Sequence, residues 1–218
     1  MIATLFDFDG VLVDSEPVHL EAFRDVMRPL GITVTDEAYA AKYLGLDDYG
    51  AIRAILTDAN YTFSPDRIRQ LVEQKAPAFM RRFKDSLRVY DGAADIVRRR
   101  ANRGPVGIVS GALEPEIRFG LERMGVLDVV RFVISAEACR ACKPDPEGYE
   151  LALQRLDRGV PAVVVEDSIA GVQAGKAAGL RVAAVAHSYS PRELAAAGAD
   201  VVVRRIAELA DVDLDGTP

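Results

Sequence analysis

Short apolar segments alternate with helical segments along the second part of the chain, and this alternation limits the possible folds most strongly. The apolar segments are rich in Val, Ile and Ala, as expected for strands that are buried on both faces of a sheet. Strands that alternate with helices form right-handed βαβ units and a parallel sheet covered by helices on both faces. The predicted strands are 105–109, 131–135, 162–165, 181–185 and 200–203, and the predicted helices are 91–102, 114–124, 146–156, 169–178 and 191–197.

The first fourteen residues, MIATLFDFDGVLVD, contain a further apolar segment, which predicts another buried strand that is closed by Gly10. Two acids, Asp7 and Asp9, stand at the end of this segment. A buried carboxylate without a partner is costly or shifts its pKa, so something must compensate for it. On this pair alone two interpretations stay open: a divalent cation, or a turn in which Asp accepts backbone N–H bonds.

A helical block separates this first strand from the others. Its apolar spacing predicts helices at 16–30, 36–43, 48–60 and 65–83, and no strand pattern interrupts 18–83. We therefore expect an α/β fold with a Rossmann-like parallel sheet and helices on both faces. This core comprises 1–14 and 87–218, and a helical cap domain of 15–86 is inserted into it.

Composition excludes several classes of function. The chain of 218 residues has a net charge of −6, which disfavours nucleic acid and anionic membranes as partners but permits a small anion in a local cleft. No segment approaches the roughly 20 apolar residues of a membrane span, and the acids near the start do not fit a signal peptide. We expect a cytoplasmic monomer. The C-R-A-C segment, Cys139 to Cys142, lacks a second such pair, so it is weak support for redox or zinc chemistry.

Polar residues collect where the predicted strands end. In an open parallel sheet, ligands bind beyond the carboxyl ends of the strands. Several carboxylates at one edge repel one another, and Mg²⁺ with oxygen ligands relieves that repulsion. Each of these residues can also be explained by the fold alone, without a functional role. Ser and Asp cap helices, most lysines are exposed to solvent, and glycines permit close packing. The residues at this edge are Asp7, Asp9, Ser110, Gly111, Lys143, Glu166 and Asp167.

These segments resemble the four motifs of the haloacid dehalogenase superfamily. The motifs stand in order at 7–15, 110–111, 143–146 and 166–168, and the helical block lies where that family inserts its small cap. The resemblance is to the branch of β-phosphoglucomutase and phosphoglycolate phosphatase. It implies a Mg²⁺-dependent phosphomonoester hydrolase that acts on a small phosphorylated metabolite, of the sugar phosphate or phosphoglycolate type, through an aspartyl-phosphate.

The resemblance also implies individual roles. Asp7 would be the nucleophile and Asp9 the general acid and base. Lys143 would reduce the repulsion between the anionic nucleophile and the anionic phosphate, while Ser110 and the N–H of Gly111 would hold phosphate oxygens. The ligands of Mg²⁺ would be Asp7, Asp9 through its backbone carbonyl, Asp167 and Glu166, the last in or near the coordination shell.

The cap segment leaves the substrate open. Gly45 fits the family's specificity loop, and His19 is a candidate substrate-binding or gating residue. Lys75 at a plausible cap position is also mutase-like, although the sequence alone favours a solvated lysine there. A β-phosphoglucomutase-like phosphotransferase is therefore one alternative, but Asp47 and Asp48 stand where such mutases carry an arginine. A non-catalytic phosphate-sensing domain is another, which the cap and Asp9 disfavour.

Overall fold

The computed structural model describes residues 1–44 and 46–214. The chain divides into two compact units, which are treated separately below. The first unit consists of Met1–Asp14 and Arg88–Pro218, and the second of Ser15–Leu87. The chain therefore leaves the first unit after Asp14 and re-enters it at Arg88, and the 73 residues from Ser15 to Leu87 form the second unit.

A six-stranded sheet forms the centre of the first unit. Its order is β5-β4-β1-β6-β7-β8, and all neighbouring strands are parallel. This confirms the predicted α/β class. The strands of the described residues are β1 (Ala3–Phe6), β2 (Val13–Asp14), β3 (Arg88–Val89), β4 (Val106–Val109), β5 (Phe132–Ile134), β6 (Ala162–Glu166), β7 (Arg181–Val185) and β8 (Val201–Val203).

The strand order changes direction at β1. The chain adds β4 and β5 on one side of β1 and then β6, β7 and β8 on the other, so the carboxyl ends of β4, β1 and β6 lie side by side. Phe6 is paired with Ile108 on one side and with Val165 on the other. The residues that follow this row emerge together at the switch point, where open parallel sheets bind their ligands.

Helices connect the strands, and their ends follow the capping residues. Gly125, with φ of 65°, ends α6, and Ser168 Oγ accepts the N–H of Gly171 at the start of α8. The core between sheet and helices includes Val164, Val172 and Tyr149, all almost fully buried. The helices are α1 (Glu16–Met27), α2 (Asp36–Ala38), α3 (Asp48–Asp58), α4 (Pro65–Ser86), α5 (Ala93–Ala101), α6 (Glu114–Met124), α7 (Glu147–Gln154), α8 (Ile169–Ala177) and α9 (Pro191–Ala196).

The second unit contains α1 to α4 and a π-helical turn, Tyr39–Tyr43, that continues α2. The predicted helices are present with shifts of a few residues at their ends. The four-residue apolar spacing of α1 buries Phe23 and Val26 in a cluster with Ile52 of α3 and Leu71 of α4. Among the helices of the described residues, none combines the length and apolar character that a bilayer crossing needs.

Candidate active site

Lys143 lies at the centre of a cluster at the carboxyl edge of the sheet. Its ammonium group donates to Asp7 Oδ1 and to Glu166 Oε1, over 2.6 Å in each case. It also donates to the carbonyl oxygen of Val109, over 3.0 Å. These three acceptors come from adjacent strands at one level of the sheet, so one lysine on the loop after β5 joins β1, β4 and β6.

Glu166 receives further donors around its carboxylate, which is fully buried. The hydroxyl of Tyr149 donates to Oε1 over 2.8 Å. The other oxygen, Oε2, accepts the N–H groups of Asp167 and Ser168 and the hydroxyl of Ser168, over 3.1 to 3.3 Å. Ser168 Oγ also accepts the N–H of Gly171 and caps α8, so this residue serves both the helix and the cluster.

Asp167 lies beside the turn that follows β1. A Cβ at Gly10 would come within 1.9 Å of Asp167 Oδ2, and Gly10 has a φ of 75°. Glycine is therefore required at this position for two reasons, backbone conformation and space. The hydroxyl of Ser188, after β7, donates to the same oxygen, and His187 Nδ1 lies 2.8 Å from the carbonyl oxygen of Gly10.

The cluster holds more negative than positive charge. Burial raises the pKa of Asp7 to about 7, because Lys143 offsets only part of the effects of desolvation, Glu166 and Asp9. Burial, with the charges of Glu166 and Asp7, raises the pKa of Asp167 well above its ordinary value. Burial alone would lower the pKa of Lys143, but the two carboxylates that it contacts raise it well above normal.

This charge balance fits a divalent cation. Among the described residues, Asp7, Glu166 and Asp167 form one group whose carboxylate oxygens lie within 4.8 Å of one another. Three buried carboxylates with one ammonium leave excess negative charge, and a hard cation with oxygen ligands would remove it. The donor set is therefore suited to Mg²⁺, as the sequence predicts.

The other predicted core residues lie at the ends of β1 and β4. Asp9 is half-buried and forms an isolated bridge with Val13. Ser110 is buried, and its Oγ accepts the N–H of Ala112 over 3.2 Å, so it does not cap α6. Gly111 is exposed, and a Cβ there would meet no atom within 4 Å, so its backbone has open space beside it.

The predicted residues of the helical block belong to the second unit. His19 Nδ1 lies 2.9 Å from Lys75 Nζ, and Lys75 donates to Asp48 Oδ1 over 2.5 Å. Lys75 is only 1% exposed, so the expectation of a solvated lysine is wrong. The reason is that Asp48 and the rings of Phe23 and Phe79, 4.3 and 5.2 Å away, surround its ammonium. Gly45 lies outside the described residues.

The family follows from a comparison with known families. A model described as a haloacid dehalogenase-like hydrolase matches residues 3–179, which is most of the chain. The chain belongs to this family. The resemblance seen in the motifs is thereby confirmed, and this hydrolase is an enzyme with phosphatase-named relatives.

The relatives and the solved structure compared below align with nearly the whole length of this hydrolase. It is 30% identical over 211 residues to the phosphorylated carbohydrates phosphatase of Thermotoga maritima, with 94% of each chain covered. It is 29% identical to the phosphoglycolate phosphatase of Rhodospirillum rubrum, with 96% of this chain and 89% of that one covered. The structure of CbbY from Rhodobacter sphaeroides in complex with phosphate is similar with a TM-score of 0.83, at 27% identity over 96% of both chains.

The sequence did not single out three residues that line the cluster of this hydrolase. Tyr149 lies on the buried face of α7, where its apolar neighbours made it indistinguishable from core. Ser188 follows the end of β7, and the rule that ligands gather at carboxyl ends could have indicated it. For Gly171 the sequence alone indicates only close helix–sheet packing, whereas a Cβ there would lie 1.9 Å from the carboxylate of Glu166.

Proposed function

We propose that this hydrolase cleaves phosphate monoesters of small metabolites through an aspartyl-phosphate, with phosphorylated sugars and phosphoglycolate as candidate substrates. The observation that carries the proposal is the ion pair between Asp7 and Lys143, next to Asp167, at the carboxyl end of β1. It combines an anionic nucleophile, a cation and metal-type ligands in one cluster. The names of the two relatives support these substrate classes.

The first step forms a bond between a carboxylate oxygen of Asp7 and the phosphorus atom while the bond to the leaving oxygen breaks. Asp9 gives its proton to the leaving alkoxide, which departs as an alcohol. Water then attacks the aspartyl-phosphate, and Asp9 takes the proton from that water. Inorganic phosphate leaves, and the carboxylate of Asp7 is restored.

Charge must be balanced where an anionic phosphate meets an anionic carboxylate. Lys143 supplies one positive charge directly on Asp7, over 2.6 Å. Ser110 would donate its hydroxyl, and Gly111 its backbone N–H, to phosphate oxygens. The open space beside Gly111 supports this role, because a ligand oxygen can approach the backbone closely there.

Mg²⁺ would be held by the carboxylates of Asp7 and Asp167, with the backbone carbonyl of Asp9 and with Glu166 in or near the shell. When bound, the ion supplies positive charge that favours attack on an anionic phosphate. The residues fit this role because the pKa values of Asp7 and Asp167 are raised by buried negative charge.

Two residues of the helical unit favour hydrolysis over a mutase reaction, in which the phosphoryl group is transferred to another position of a phosphorylated substrate. A mutase must hold a bisphosphate and therefore needs an additional cation for its second phosphate. In the loop where mutases carry an arginine, Asp47 accepts the N–H of Gly50 over 2.7 Å and caps α3. Asp48 neutralises Lys75, so both of these positions carry acids where such mutases carry an arginine.

The first experiment measures phosphate release from p-nitrophenyl phosphate and from a panel of sugar phosphates and phosphoglycolate. Each assay is run with Mg²⁺ and with EDTA, for the wild type and for Asp7→Asn. We expect Mg²⁺-dependent release that is lost in Asp7→Asn, because the isosteric carboxamide cannot attack phosphorus. Release that persists in Asp7→Asn would overturn the role of Asp7. No release from any compound by a folded, Mg²⁺-binding wild type would overturn the proposed function.

A further inference from the structure

Glu166 differs from the other two carboxylates of the cluster in how completely its oxygens are engaged. Within the described residues, Oε1 accepts the ammonium of Lys143 and the hydroxyl of Tyr149, over 2.6 and 2.8 Å. Oε2 accepts three donors from Asp167 and Ser168. A carboxylate has about four lone-pair sites, so five donors already saturate it.

Tyr149 reaches Glu166 from α7. Its side chain is 1% exposed, and its ring lies 5.4 Å from the ammonium of Lys143. The hydroxyl of Tyr149 donates a hydrogen bond to Oε1 of Glu166 over 2.8 Å. Tyr149 thus contacts both members of the Lys143–Glu166 ion pair.

Gly171 leaves the space that the carboxylate of Glu166 occupies. A Cβ at this position would lie 1.9 Å from the carboxylate carbon and 1.9 and 2.1 Å from its oxygens. The first turn of α8 therefore encloses Glu166 on one side, and Tyr149 holds it on another. These contacts enclose the carboxylate of Glu166 and fix the direction in which it points.

We propose that Tyr149 is a positioning residue that, together with Gly171, fixes Glu166 as the counter-ion of Lys143 and keeps Glu166 out of the coordination of the metal. The inference rests on the proposed function. Asp167 and Asp7 then serve the metal, whereas Glu166 serves Lys143. Held in this way, Lys143 keeps its ammonium on Asp7 and does not swing toward solvent or toward another acid.

Activity distinguishes this role from simple core packing. Tyr149→Phe retains the ring and removes only the hydroxyl, and we expect kcat to fall about tenfold with KM changed less than about twofold. In a Glu166→Gln background the same substitution should have almost no further effect, because Tyr149 acts through Glu166. Ala152→Gly, in the buried face of the same helix, is the control: it destabilises α7 but should leave kcat within about twofold.

Mg²⁺ binding provides a readout that does not depend on turnover. Isothermal titration should give dissociation constants for Tyr149→Phe and Glu166→Gln within about tenfold of the wild type, whereas Asp167→Asn should weaken binding about a hundredfold or more. Glu166→Gln weakening Mg²⁺ as much as Asp167→Asn would overturn the inference. So would an unchanged kcat in Tyr149→Phe, or equal effects of Tyr149→Phe with and without Glu166. An inactive wild type would instead refute the proposed function. The Mg²⁺ titration would then still test whether Glu166 is a ligand of the metal.

Discussion

The ammonium of Lys143 lies 2.6 Å from the carboxylate of Asp7, although 136 positions separate the two residues in the chain. The pair forms because the loop after β5 crosses the edge of the sheet where β1 ends. Even with this cation so near, the pKa of Asp7 stays raised to about 7, because burial and the neighbouring carboxylates outweigh it. One lysine is therefore too little positive charge for this cluster.

This excess charge predicts how Mg²⁺ stabilises the protein as pH changes. The folded pKa of Asp7, about 7, lies above its ordinary value of 3.8, so the folded state without metal binds the proton more tightly than the unfolded chain. The stabilisation from this group is complete below about pH 4 and is lost as pH rises through about 7. In EDTA, Tm should therefore fall between pH 5.5 and 8, and added Mg²⁺ should raise Tm more at pH 8 than at pH 5.5.

Asp7→Asn tests the origin of this effect. The variant cannot titrate at this position, so the fall of Tm with pH should be smaller by a few degrees, on the scale of about 2–4 °C per kcal/mol for a chain of this size. Differential scanning calorimetry in EDTA and in Mg²⁺ measures both quantities. A Tm that falls equally in both proteins would show that Asp7 does not titrate as its burial indicates.

Asp9 should separate catalysis from metal binding. Asp9→Asn cannot donate or accept the proton of the reaction, so phosphate release should fall by about 10²- to 10⁴-fold. Mg²⁺ affinity should stay near that of the wild type, because the backbone carbonyl is unchanged. Asp157→Asn, which removes an exposed partner of Arg131, is the control and should leave both quantities unchanged. Loss of Mg²⁺ binding in Asp9→Asn would make its side chain a ligand.

Gly10 and Gly179 offer a matched pair of substitutions, because both have a φ of 75°. Alanine at either position adopts an unfavourable backbone conformation that costs about 1 kcal/mol. Only at Gly10 would the new Cβ also meet Asp167, at 1.9 Å, whereas at Gly179 it meets no atom within 4 Å. Gly10→Ala should therefore lose Mg²⁺ affinity and activity as well as stability, and Gly179→Ala should lose stability alone. Titration with Mg²⁺ and urea unfolding distinguish the two, and equal affinities would contradict the geometry.

The sequence predicted the part of the site that strand ends determine. Asp7, Glu166 and Asp167 follow apolar strands, and parallel strands bring their carboxyl ends to one edge of the sheet. The short strands β2 and β3 were not predicted, because Val13–Asp14 and Arg88–Val89 are too short to show a periodicity.

Residues that act from the interior of helices or from distant loops could not be found in the same way. Tyr149 has the apolar spacing of a core residue, and only the tertiary structure shows that its hydroxyl meets Glu166. Gly171 is one of two glycines in α8, and the need for glycine there comes from a carboxylate at a neighbouring strand end, which the sequence does not show. Lys75 looked solvated because its partner Asp48 is 27 positions away.

The buried ion pair of the second unit gives a final prediction about stability. Lys75 is 1% exposed and is bound by Asp48 over 2.5 Å, so Asp48→Asn leaves a buried ammonium without its counter-ion. We expect the free energy of unfolding to fall by about 3 kcal/mol in this variant. Adding Lys75→Met should restore most of the loss, because the double variant buries no charge. Asp66→Asn, which breaks an exposed pair with Arg69, should cost less than about 1 kcal/mol. Urea unfolding followed by circular dichroism measures all four proteins, and a double variant less stable than Asp48→Asn would show that the lysine stabilises the unit by a route other than this pair.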